Sequence, residues 1–123
     1  MILSYATVGS NNLEKSIPFF TRLLAKGGVG KLADHPRGGV LFGKDGKIVL
    51  GVLTPFDRQV ASSGNGAMVA LELPSRGAVD EFHAQALALG GTDEGAPGER
   101  GPGFYMSYFR DLDGNKFCAC HLG

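Results

Sequence analysis

The sequence predicts an α+β fold: two βαβββ modules whose strands make a curved, half-closed mixed sheet, with the helices outside. Three observations carry this. The order strand, helix, three strands occurs twice with a period of about 60 residues. Each helical stripe is closed by a glycine pair, Gly27-Gly28 in the first half and Gly90-Gly91 in the second. Each half also carries an Asp-Gly hairpin signal, Asp45-Gly46 and Asp113-Gly114, at matching places.

The elements follow in order. Ile2 to Val8 is an apolar strand ending at Gly9-Ser10-Asn11-Asn12, which supplies a turn and a helix cap. Leu13, Ile17, Phe20 and Leu24 then recur at intervals of four and three, one face of a helix, although Pro18 lies inside it. Val29 to Ala33, Gly39 to Gly43 and Lys47 to Leu53 are strands, the last two joined at Asp45-Gly46. Thr54 to Gly66, with Pro55 and Ser62-Ser63-Gly64-Asn65, reads as a surface connection. Ala67 to Leu73 is the next strand, and Val79, Phe82, Ala86 and Leu89 form the second helical stripe. Thr92 to Ala96 is a weak strand, Pro97 to Gly103 a loop, and Phe104 to Arg110 pairs with Lys116 to His121. One domain over 1–123 is expected, as module 1–55, linker 56–66 and module 67–123.

Composition narrows the function. Twelve Lys and Arg balance twelve Asp and Glu, so no field draws the chain to nucleic acid or to an anionic membrane. No apolar run approaches the roughly 18 residues of a membrane span, and Met1 to Tyr5 lacks the pattern of a signal peptide. Cys118 and Cys120 lie two apart on a strand, with alpha carbons roughly 6.5–7 Å apart, which is poor disulfide geometry. Free thiols in a reducing, cytoplasmic setting are expected.

With the order of elements, two motifs carry a family resemblance across nearly the whole chain. They are Asn12-Leu13-Glu14-Lys15-Ser16 with Phe19-Phe20, and the ending Tyr108-Phe109-Arg110-Asp111-Leu112-Asp113-Gly114-Asn115-Lys116. The chain resembles the vicinal oxygen chelate superfamily, the glyoxalase, bleomycin resistance and dioxygenase group. Its members typically carry Asp where Asn12 stands, Tyr at Phe20 and Pro at Leu112. In metal-dependent relatives, histidines and glutamate on cavity-facing strands hold one divalent cation. Carried over, those positions fall on Tyr5, Leu50, Met68 and Cys118, none of them the usual ligand. Tyr, Met and Leu do not rebuild an imidazole and carboxylate site. Cys118 and Cys120 leave a soft-metal site conceivable.

His35, His83 and His121 are scattered, and His121 alternates to the face opposite the cysteines, so no Cys-His or Ser-His-Asp constellation forms. What remains is a mostly apolar cavity. Tyr5 and Thr7 offer hydroxyls, Leu50, Met68 and Ala70 a wall, and Cys118 and Cys120 a thiol face. Whether Tyr105 and Ser107 or Phe104 and Tyr108 turn inward is open in the sequence; the first pair is assigned to the lining. Arg100, in the loop over one end, can meet an anionic group.

The expected function is therefore metal-independent binding of a small molecule, with no cofactor, as the resemblance to bleomycin-binding proteins implies. The alternative is a metal-dependent lyase, isomerase or dioxygenase acting on a small organic substrate, with ligands elsewhere. A third is a subunit whose sheet serves only to dimerise. The resemblance also implies a homodimer, often with both chains around each cavity.

Overall fold

The computed structural model describes residues 1–123. Its elements are β1 (Ala6–Gly9), α1 (Leu13–Ala25), β2 (Gly30–Asp34), β3 (Gly39–Lys44), β4 (Lys47–Leu53), β5 (Val69–Glu72), α2 (Arg76–Ala88), β6 (Thr92–Glu99), β7 (Phe104–Arg110) and β8 (Lys116–Leu122). The βαβββ order repeats as the sequence predicts. The strands form two four-stranded mixed sheets, ordered β1-β4-β3-β2 and β5-β8-β7-β6, with no ladder across the seam between them. In each, the first strand runs parallel to the last and the remaining pairs are antiparallel.

Local chemistry sets the boundaries. The Asn12 side chain caps α1 by accepting from Lys15 N, and Ser75 caps α2 by accepting from Ala78 N at 3.0 Å. Asp45 and Gly46 both adopt positive φ, 51° and 76°, which matches the twist of a two-residue hairpin between β3 and β4. Pro18 is carried within a continuous α1, its ring on the exposed side.

The helices lie against one face of the sheets and the core is the layer between. Phe20 of α1 joins the halves: its ring lies 6.5 Å from Phe42 of β3 and 5.5 Å from Phe117 of β8, which stacks on Phe109. Such aromatic pairs add to the burial of their own area. The opposite face of each sheet has no helix over it.

Two strands differ from expectation. β1 begins only at Ala6, because Met1, Ile2 and Leu3 extend into solvent and pair with nothing. β6 continues through Pro97 to Glu99, since irregularities between Asp93 and Gly95 and between Gly95 and Gly98 let the strand keep company with β7 around the proline.

Candidate functional site

Register decides which side chains face the open side. On the second sheet, Ala70 pairs with Cys118 and Glu72 with Cys120, while Cys118 also pairs with Tyr108, and Cys120 with Met106. Paired residues share a face, so Met68, Ala70, Cys118 and Cys120 are brought together with Met106 and Tyr108. On the first sheet, Thr7 pairs with Gly51, which pairs with Leu41. Tyr5 has the parity of Thr7 and is exposed. Thr7 and Met68 meet across the seam, lining one small hollow of about 170 Å³ with Val69, Asn115 and Lys116.

Three assigned lining residues belong elsewhere. Leu50 is fully buried beneath the helices with Val52 and Phe42. The count from the hairpin glycine fails there for two reasons. The first hairpin turns in two residues while the second uses five between Arg110 and Lys116, and a register shift between Phe42 and Gly43 leaves Val49 without a β3 partner. The open-face residue of β4 is Gly51, which brings no donor. Tyr105 and Ser107 likewise face the helices. Tyr105 donates its hydroxyl to Asp80 of α2 at 2.6 Å and lies under Arg76, and Ser107 is wholly buried beside Ala119. The Asp80 bond, then burial, raises the Tyr105 phenol above its ordinary value. Phe104 and Tyr108 take the open side instead. Pairing β7 with β8 outward from Arg110 and Lys116 is the signal that finds them.

The thiols are free and nearly covered. Burial, and then the neighbouring Cys120, pushes the Cys118 thiol up to about 11; burial and Glu72 raise Cys120. Both are protonated, weakly nucleophilic thiols at neutral pH. The Cys120 thiol reaches the Leu71 carbonyl at 3.6 Å. The histidines lie apart from them. His83 is buried on α2 with its Nε2 3.2 Å from Asp93, His121 Nδ1 contacts the Leu73 carbonyl at 2.9 Å, and His35 Nδ1 accepts from Arg37 N.

A divalent cation of the kind the family employs does not suit this donor set. Tyr5, Gly51, Met68 and Cys118 stand at the cavity-facing positions, and no three His, Cys, Asp or Glu side chains converge anywhere in the chain. A hard or borderline ion needs several carboxylates or imidazoles together.

Two hollows adjoin these residues. A cleft of about 610 Å³ lies between the two halves, walled in part by Leu24, Val29, Val49, Leu71, Leu73 and Phe82. Another, of about 500 Å³, opens at the end of the second sheet between the Ser63–Met68 loop and the side chains of Arg110 and Lys116. The first is roomier, and beside those apolar walls it is lined by Lys44, Ala70, Glu72, Pro74 and His121. The second meets the open face at Met68, Arg110 and Lys116. No helix of the chain is long and apolar enough to cross a membrane.

Comparison with known proteins agrees with this architecture. The family model described as Glyoxalase/Bleomycin resistance protein/Dioxygenase superfamily matches residues 2–119. A glyoxalase/bleomycin resistance protein from Albidiferax ferrireducens T118 is 36% identical with a TM-score of 0.87, covering 98% of each chain. A putative glyoxalase from Bacillus halodurans is 22% identical with a TM-score of 0.77, over 97% of this chain and 94% of the other. A family enzyme from Burkholderia phytofirmans PsJN, 19% identical, has a TM-score of 0.74 over 98% of both chains. A search of curated proteins finds no match. With its repeated βαβββ order, its two mixed sheets and a family match over nearly its full length, the chain belongs to the glyoxalase/bleomycin resistance protein/dioxygenase superfamily.

Proposed function

We propose that this protein binds a small, largely apolar molecule on the open face of its second sheet without the help of a metal. The observation that carries the reading is the residue set of that face. Met68, Ala70, Met106, Tyr108, Cys118 and Cys120 share it, and Met68 and Cys118 among them stand at the positions where the resemblance places the ligands of metal-dependent relatives. Thioethers, a phenol ring and protonated thiols make an adaptable wall for apolar or aromatic matter. The thiols of the face are held protonated and the histidines face other surroundings.

A second copy of the chain completes the enclosure in this reading. Tyr5, Met68, Phe104 and Leu122, all of the parity of the open faces, are each about half exposed, and apolar area of that kind is commonly covered by a partner. Metal analysis joined to calorimetry tests the proposal. Purified protein carrying stoichiometric nickel, zinc, iron or manganese would overturn it. Metal-free protein that binds planar apolar compounds, with losses on Met68→Lys and Cys118→Asp, is the expected result. A monomeric mass at working concentration would remove the second copy from the scheme.

A further inference from the structure

We infer that the molecule taken up by this face carries an oxyanion, and that Arg100, with Lys116, is what selects it. This rests on the reading of the open face as a binding surface and names the class of ligand. Tyr108 lies between two cations. The Arg100 guanidinium carbon sits 5.5 Å from the ring centroid on the β6 side, and the Lys116 ammonium 5.4 Å from it on the β8 side. Neither cation is in an ion pair. The third cation of the face, Arg110, is held by Glu94 and by the Gly114 carbonyl. The other acid of the face, Glu72, lies two pairs along the sheet, beside Cys120.

The Arg100 position is built by the chain around it. From the end of β6 its side chain folds back, and Nη2 donates to the Ala96 carbonyl at 2.7 Å. It occupies room that two glycines leave open. A Cβ on Gly98 would lie 2.9 Å from Nη1, and one on Gly95 would lie 3.3 Å from Nη2 and 3.0 Å from the Tyr108 ring. The irregularities of β6 fall at these same glycines. A guanidinium offers five N–H donors in a fixed fork that matches the planar carboxylate. With one nitrogen tied to Ala96, the fork is oriented and still has donors to spare. Met106 receives the Tyr108 hydroxyl proton at 3.3 Å, and Arg100 and Lys116 remain as the unpaired cations beside the ring. A planar acid fits: its ring on Met106 and Ala70, its oxyanion on the free donors of Arg100, with the Lys116 charge across the Tyr108 ring.

The test uses three ligands of one shape, naphthoate, naphthamide and naphthylmethylammonium, titrated into the full-length protein with calorimetry and amide chemical shifts. The expected order is anion, neutral, cation. Naphthoate is expected to bind about tenfold more tightly than the amide, with an advantage that shrinks as salt is raised. Arg100→Gln should remove about that factor for the anion alone, Arg100→Lys should keep part of it, and Gly98→Ala, which displaces the guanidinium, should mimic the loss in a chain whose melting confirms the fold. Equal affinity for all three, or preference for the cation, overturns the inference while leaving the binding face intact. Failure of all three to shift residues of the second sheet overturns the binding reading and this inference together.

Discussion

The Asn115 side chain donates to the Gly9 carbonyl at 3.0 Å, joining the hairpin of the second module to the end of the first strand across 106 residues of sequence. The same amide donates to Asp111 Oδ2 at 2.9 Å, and Asp111 Oδ1 accepts from the backbone of Asp113 and Asn115. Asn115 is buried, so nothing else can serve these acceptors once it is gone. Asn115→Ala is therefore expected to cost about 2–3 kcal/mol in urea unfolding. A loss under about half a kcal/mol would show that the link does not hold the halves together.

Asp111 makes stability depend on pH in an unusual sense. Burial raises its carboxyl above the ordinary 3.8, against the opposing pull of its bonds from Asn115 and Asp113. Between the unfolded and folded values the native chain holds more protons than the unfolded one, so stability falls as pH rises through that window and levels off above it. Wild type and Asp111→Asn, compared by urea unfolding from about pH 3 to pH 7, should show wild type losing ground as pH rises. A constant difference would contradict this.

The Cys118 thiol should be slow to alkylate. With its pKa near 11 and almost no exposed surface, the thiolate is scarce at neutral pH. Iodoacetamide modification, located by mass spectrometry, should be much slower in the native than in the urea-unfolded chain and should quicken until about pH 11. Rapid native labelling of Cys118 near pH 7 would be incompatible with this environment.

His83 sits against the edge of Phe109, buried, with neither ring nitrogen in a hydrogen bond; its Nε2 only approaches Asp93. Replacing an unsatisfied buried polar ring by an apolar side chain of similar size is neutral or favourable. His83→Leu is expected to raise the melting temperature by about 2–5 °C. A marked fall would mean that His83 makes a polar contact essential to α2.

Much of this was legible beforehand because it is local. The stripe Leu13, Ile17, Phe20, Leu24 and the pair Asp45-Gly46 are decided by neighbours a few residues away. The family followed from the order of elements together with Asn12 to Ser16, Phe19-Phe20 and the ending Tyr108 to Lys116. Facing was harder. Leu50 and Gly51 differ by one step on a strand, and one step reverses a side chain, so the unseen register shift between Phe42 and Gly43 put the wrong residue in the cavity. The folding back of Arg100 onto Tyr108 depends on Gly95 and Gly98 along an irregular strand, which no periodicity describes.

Gly51 has a wider consequence. Its counterpart in the other half is Cys118, so at this matched pair of places one open face brings no side chain and the other a thiol. In the binding reading proposed above, a ligand at this pair of places meets a side chain from the second module alone.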